Sequence, residues 1–197
     1  MRRNLIFTFI VFHLFSKGQK PILFSDKNVS GFNYSQFLIS DAKTFFKSKY
    51  KTKENHISAK PLGGGACFFT DHISIGFKKE GVSFFFERGS YPEYVEGNYP
   101  AYIVKEYALR TIVINKNFPN ILTRDSLYVG KVTTLSSIGV GLADYKSPQT
   151  IKNNYGVIVK DHIEYHLTLI SRDKLTLNTP LKIKSIIITP SNTGFKE

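Results

Sequence analysis

The stretch HISIGFKKEGVSFFF, residues 72–86, decides the fold. Ile73, Ile75 and Phe77 alternate with His72, Ser74 and Gly76, the two-residue period of a half-buried strand. Lys78-Lys79-Glu80-Gly81 interrupts the pattern and puts glycine where a hairpin loop wants a positive φ. Val82, Phe84 and Phe86 then resume it. Two strands joined by so few residues run antiparallel, because a parallel partner needs a crossover of about a dozen residues.

Downstream of the hairpin, residues 88–101 (RGSYPEYVEGNYPA) read as a loop, and Tyr107 to Ile114 as a further strand. The stretch from Leu127 to Leu142 supports no assignment. Strand patterning returns from Val157 to Ile170, with Val157, Val159, Ile163, Tyr165, Leu167 and Leu169 expected on one face. Ser171 to Lys174 is expected to turn, and Leu175 to Leu177 and Leu181 to Ile188 complete the series. Upstream, residues 20–33 show no period. Asn33 and Gln36 have the spacing of a capping box, and Phe37, Leu38, Ala42, Phe45 and Phe46 form an apolar stripe, so a helix is expected over about Ser35 to Tyr50. A second, shorter helix is expected from Ser147 at the cap and Pro148 at the first position, through Ile151 and Tyr155, to Gly156 at the stop. Strands follow each helix without helices between them, which makes the class α+β with an antiparallel sheet.

The two halves rhyme. His72 to Ile75, a turn and Val82 to Phe84 parallel His166 to Leu169, a turn and Leu175 to Leu177; Leu109 to Ile114 parallels Ile183 to Ile188. The expectation is a tandem duplication of a helix–hairpin–strand unit, one helix per half, over residues 19–118 and 119–197. The Ser147-Pro148-x-x-Ile151-x-x-x-Tyr155-Gly156 segment and the two turn-then-alternating hairpins resemble exported tandem modules of the β-lactamase-inhibitor-protein type, and a single such unit resembles the small outer-membrane assembly lipoproteins. The inhibitor's disulfides and the lipoproteins' lipid anchor are absent. The resemblance implies binding or scaffolding rather than catalysis, and it carries no functional residue across.

The start of the chain reads as an export signal. Arg2 and Arg3 precede the apolar run Leu5 to Phe15, and Ser16-Lys17-Gly18 offers a small-x-small site, which places cleavage before Gln19 and residues 1–18 in the signal. Lys17 and Lys20 cut the run short of the ~20 apolar residues of a spanning helix, so no integral membrane protein is expected after cleavage. The expected location is periplasmic or extracellular.

The chain of 197 residues carries +12, or +9 once Arg2, Arg3 and Lys17 are removed. Such a surface favours anionic partners by long-range steering, although the lysines look scattered along the sequence. A protein or an anionic envelope component is the expected partner, and nucleic acid is not expected for an exported chain. Cys67 is the only cysteine, so no intrachain disulfide is possible; its neighbours Ala66, Phe68 and Phe69 suit a small buried hydrophobe.

No catalytic or cofactor signature stands out. Gly63-Gly64-Gly65 lacks the Lys-Ser/Thr of a phosphate loop and reads as a connector. Ser40-x-x-Lys43 and Ser171-x-x-Lys174 lack the partner motifs of penicillin-binding enzymes. His162-Ile-Glu164-Tyr-His166 lies in a strand pattern, where residues four apart stand ~13 Å from each other and hold no joint metal ligand. Asp71-His72 near Cys67 has no spacing that assembles a thiol site. No catalytic residue, metal or cofactor is expected. The best binding candidates are Tyr91, Tyr94, Tyr99 and Tyr102, in a segment rich in Gly, Ser and Asn. Tyrosine gives wide amphipathic contact at small entropy cost, the chemistry of recognition loops. The expected function is therefore an exported, non-enzymatic binding module; the alternative is a secreted hydrolase or lipid-binding protein whose site is assembled from dispersed residues. A deep apolar pocket would favour the alternative, and an open sheet face the binding module.

Overall fold

The computed structural model describes residues 21–59, 68–94, 100–104, 106–118, 120–147, 154–170 and 174–191. The chain begins with three short strands, β1 (Ile22–Phe24), β2 (Asn28–Val29) and β3 (Phe32–Asn33), then a 3-10 turn at Tyr34–Gln36 and helix α1 (Ile39–Phe45). Five strands follow: β4 (Lys51–Ala59), β5 (Phe68–Phe77), β6 (Val82–Tyr94), β7 (Pro100–Val104) and β8 (Ala108–Ile114). After β9 (Ile121–Thr123) and β10 (Val132–Thr133) come helix α2 (Leu135–Ile138), a 3-10 turn at Leu142–Asp144, and strands β11 (Tyr155–Lys160), β12 (Ile163–Leu169) and β13 (Leu181–Ile188).

The fold is α+β. The large sheet runs β11-β12-β13-β8-β6-β5-β4, with β10 beside β13 and β7 beside β6, and every pairing in it is antiparallel. A small sheet, β3-β2-β1-β9, contains the one parallel pair among the described strands, with Ile22 opposite Ile121. Alternation sends Ile75, Phe84, Phe86, Ile112, Ile114, Ile158, Tyr165, Leu167, Ile183, Ile186 and Ile188 to one face of the large sheet, where all are buried in a single core. Phe24 and Val29 of the small sheet, Ala42 of α1, and Leu135 and Ile138 of α2 complete that core. Among the described residues the other face carries no buried side chain: Ser74, Phe85, Val113, Ile187, Glu164, His166, Val157 and Val159 are all half-buried or exposed.

The first hairpin matches the sequence reading. Phe77 pairs with Val82 across Lys78–Gly81, and Gly81 adopts φ +70°. The first helix is shorter than expected. Asn33 accepts from Ser35 N at 3.0 Å and starts only the 3-10 turn, while the helix proper begins where the Asp41 carboxylate accepts from Leu38 N at 2.8 Å. On a continuous helix Phe37 and Phe46 would lie two and a half turns apart, on opposite faces. Both are nevertheless buried against the sheet, Phe37 5.3 Å from Phe84 and Phe46 4.9 Å from Phe77 between ring centroids, so the chain leaves the helix before Phe46. Leu38, expected in the stripe, is 53% exposed.

The expected second helix is not observed where it ends. Tyr155 and Gly156 open strand β11, held to the preceding chain by a bridge between Lys146 and Val157 and by Ser147 Oγ donating to Tyr155 O at 3.2 Å; residues 148–153 lie outside the described residues. Gly156 is needed not as a helix stop but for close approach, since a Cβ there would fall 2.1 Å from the Tyr145 ring. The segment left unassigned holds α2, capped by Thr134 and ended at Gly139.

One expected strand is two. Asp161 and His162 adopt φ +49° and +61° and form a two-residue turn between β11 and β12, with Lys160 opposite Ile163. That turn shifts the facing, so Val157 and Val159 leave the core and Ile158 enters it. Leu175 to Leu177 is not a strand; Thr176 N donates to Thr179 Oγ1 at 2.8 Å within a turn. The matched histidines also hold different places: His72 is on β5, two strands from β8, and His166 is on β12, next to β13.

The two flanks of the sheet share a register detail. Val82 pairs with Ile114, Phe84 with Ile112 and Phe86 with Leu109, with a bulge between Phe85 and Phe86. Ile163 pairs with Ile188, Tyr165 with Ile186 and Leu167 with Ile183, with a bulge between His166 and Leu167. The flanks meet where Ile112 opposes Ile188 and Ile114 opposes Ile186.

Candidate functional site

Four surface features carry the chemistry. The first contains the predicted tyrosines. Residues 88–94 and 100–104 do not form a loop: Arg88 to Tyr94 prolong β6, and Pro100 to Val104 fold back on it as β7. Pro92 pairs with Tyr102, Tyr91 with Ile103 and Tyr94 with Pro100. β5 accompanies β6 as far as Ser90, so beyond it β6 pairs only with β7 among the described residues, as a two-stranded ribbon leaving the sheet. Residues 88–94 hold only Tyr91 and Tyr94 as strong strand formers, so pairing with β7 and not local propensity extends β6, and the prolines fall on the ribbon, where a missing ladder donor is tolerated. Tyr91, Tyr94 and Tyr102 are therefore brought onto one ribbon; Tyr99 lies outside the described residues. Tyr107 belongs elsewhere, under the Arg88 guanidinium, 4.7 Å from the ring centroid.

At the root of the ribbon, β4, β5 and β6 place His56, Asp71 and Arg88 in direct cross-strand register. Arg88 donates from Nε at 3.1 Å and from its NH2 nitrogen at 2.5 Å to Asp71 Oδ2, and His56 Nδ1 meets Asp71 Oδ1. The Arg88 bonds first, then His56, hold the Asp71 carboxyl below the usual carboxylate range. Asp71 thus turns to His56 and Arg88, not to His72, and Cys67 lies outside the described residues.

The second cluster occupies the open face of β11 and β12. The Tyr155 hydroxyl meets His166 Nδ1, and Glu164 Oε1 lies 2.7 Å from His166 Nε2. His166 Nε2 makes no hydrogen bond to Glu164 despite this approach. Burial first, then the Glu164 charge, raises the Tyr155 hydroxyl above its usual range. This carboxylate–imidazole–phenol chain has the groups of general acid–base catalysis, but none of its members lines either concavity described next. His162 sits in the turn, apart from Glu164 and His166 on the strand.

Two concavities open at the turns of the sheet. One, of about 670 Å3, is lined by Lys47, Ser48, Lys49, Lys78, Lys79 and Lys116. The other, of about 440 Å3, is lined mainly by Asp26, Arg124, Asp125, Asp161 and His162. Neither is a deep apolar pocket. Lysines that look scattered in sequence converge here, because residues 47–49, the 78–81 turn and the end of β8 meet at one end of the sheet. Sequence reading missed the concavity because its members lie in three separate segments; the paired Lys47/Lys49 and Lys78/Lys79 were visible, but nothing local shows that they meet. Among the described residues no group of three or more His, Cys, Asp or Glu is placed to hold a metal ion, and no helix is long and apolar enough to cross a membrane. No protein-family model matches the chain, and no curated protein or solved structure matches it either.

Proposed function

We propose that this chain is an exported, non-enzymatic binding module that recognises a protein or an anionic envelope component in the periplasm or outside the cell. One observation carries the reading: among the described residues the core lies on one face of the large sheet, while the opposite face is open, with Ser74, Glu164 and His166 beside the uncovered Phe85, Val113, Val157, Val159 and Ile187, and the sheet continues at one end into the tyrosine-bearing ribbon. A concave apolar pocket with convergent polar groups, the usual mark of a small-molecule site, is not among the concavities described. Tyr91, Tyr94 and Tyr102 would supply the contact area. The test is affinity capture from the native envelope with the wild type and with Tyr91→Ser/Tyr94→Ser/Tyr102→Ser in parallel. The expected result is a partner held by the wild type and lost by the variant, with Tm nearly unchanged. A large fall in Tm with an unchanged capture profile would show that the tyrosines serve stability and would remove the site.

The same reading includes a tandem duplication, supported by register rather than by the sequence match of His72 with His166. Laying β5-β6-β8 on β11-β12-β13 carries Ile75–Phe84 onto Ile158–Tyr165, Phe84–Ile112 onto Tyr165–Ile186 and Phe86–Leu109 onto Leu167–Ile183. The bulges coincide, Phe85/Phe86 on His166/Leu167, and a bulge is a specific local device rather than a generic property of strands. In this alignment His72 corresponds to Tyr155. Each unit would carry one helix before its strands, α1 in the first and α2 in the second, in keeping with the resemblance to tandem inhibitor-type modules.

A further inference from the structure

We propose that the lysine concavity at the 78–81 turn binds a multiply charged phosphate group. Lys47, Lys49, Lys78, Lys79 and Lys116 line one open depression of about 670 Å3. Like charges gathered at one spot repel, and a sequence has no stability reason to gather them. The gathering is nevertheless built. The buried Glu80 accepts from Ser48 Oγ at 2.7 Å, which ties the 47–49 segment to the turn. Gly81 N donates to Phe77 O at 2.8 Å and Asn115 N to Gly81 O at 2.9 Å, which ties the end of β8 to the same turn. A Cβ on Gly81 would fall 2.1 Å from Lys116 Cβ, so this glycine, at φ +70°, is what lets Lys116 lie over the turn. Lys116 Nζ then donates to Lys79 O at 3.2 Å.

Among the described residues no carboxylate pairs with any of the five ammonium groups, because Glu80 points its charge at Ser48 beneath them. The ligand is an anion of several charges. Its chemistry is taken as phosphate because five cations face one depression, which calls for several charges on one small group, and lysines are point charges with rotatable donors that suit tetrahedral phosphate oxygens. The depression is shallow and widely open, so it can meet a protruding anionic group such as a phosphomonoester headgroup or a segment of polyphosphate without enclosing it. The inference deepens the binding reading above and rests on it only for the role of binding, since the concavity shares no residue with the ribbon.

The test measures, by calorimetry on the full chain, affinity for inorganic tripolyphosphate, and by co-sedimentation, binding to phosphatidylcholine vesicles with and without phosphatidic acid. Expected are tripolyphosphate binding that weakens as salt rises, a loss of about tenfold for Lys78→Gln/Lys79→Gln, and no loss for Lys182→Gln/Lys184→Gln, two exposed lysines of β13. Where the turn variant fails to fold, Lys47→Gln/Lys49→Gln removes the same charge from an exposed segment. Vesicle binding that needs phosphatidic acid identifies a lipid source; tripolyphosphate binding without it identifies a free or polymeric phosphate, and both support the site. Equal losses for the β13 variant, equal affinity for polyglutamate, or no tripolyphosphate binding at low salt would overturn it. The Tyr91→Ser/Tyr94→Ser/Tyr102→Ser variant is expected to bind tripolyphosphate as the wild type does, so failure of the ribbon and failure of the concavity are told apart.

Discussion

Two buried tyrosines set how this protein meets high pH. Burial first, then the Asp26 charge, pushes the Tyr34 hydroxyl far up, and burial, with smaller contributions from Asp125 and Asp161, pushes Tyr165 up to about 12. An unfolded chain ionises tyrosine near 10. The stability these hydroxyls contribute is therefore complete below about pH 10 and is lost as pH rises from there towards the folded value, by about 1.4 kcal/mol per pH unit for each group. Thermal unfolding followed by circular dichroism is expected to show a falling Tm above about pH 10, and Tyr165→Phe, which keeps the ring, to flatten the fall. An unchanged slope in the variant would show that other groups govern alkaline unfolding. At this scale the sequence was partly legible. Ile75, Phe84 and Tyr165 fall on the apolar faces expected of their strands because period-two alternation is local information, whereas Ile186 shares a face with Ile183 only through the bulge in the β12–β13 pairing. The cluster of His56, Asp71 and Arg88 was not legible, because cross-strand register alone makes those three residues neighbours.

Among the elements, turns were easiest to read where glycine marks them and hardest where it does not. Lys78 to Gly81 was evident; Asp161-His162 was not, because neither residue is glycine although both take positive φ. Two-residue hairpin turns of this kind favour Asn-Gly, and a left-handed non-glycine residue costs about 1–2 kcal/mol at most sites. Asp161→Asn/His162→Gly is accordingly expected to stabilise the protein by about 1 kcal/mol, read as a higher urea midpoint with an unchanged m-value. A lower midpoint would mean that contacts made by Asp161 or His162 outweigh the backbone relief. Helices misled in a complementary way. The stripe expected from Phe37 to Phe46 is not one helical face: Phe37 and Phe46 reach the same sheet only because the helix is confined to Ile39–Phe45, a tertiary demand that overrides local periodicity. α2 escaped notice because one helical turn has no period to display, although Thr134 and Gly139 bracket it.

Across the whole molecule, the sheet class followed from the sequence because hairpins without intervening helices leave little else. The pairing order did not, because sequence similarity matched β5 with β12 whereas register matches it with β11. The two concavities stand at the β5–β6 and β11–β12 turns, one lined by lysines and the other by charges of both signs, Asp26, Lys27, Arg124, Asp125 and Asp161. The β8–β13 seam has a kinetic consequence. Its partners Ile112 and Ile188 stand 76 residues apart in sequence, whereas β5, β6 and β12 each pair with the next strand along the chain. Closing a long loop costs entropy before its contacts repay it, and non-local pairing is what slows folding. The seam is therefore expected to form last, with Ile112→Val and Ile188→Val speeding unfolding while leaving the folding rate nearly unchanged, and Phe84→Leu and Tyr165→Phe slowing folding. Stopped-flow chevrons of the four variants measure this directly, and a folding limb slowed mainly by the seam substitutions would reverse the order. The two flanks then behave as separately nucleating units, and the lifetime of the native state is set by how often their shared joint opens.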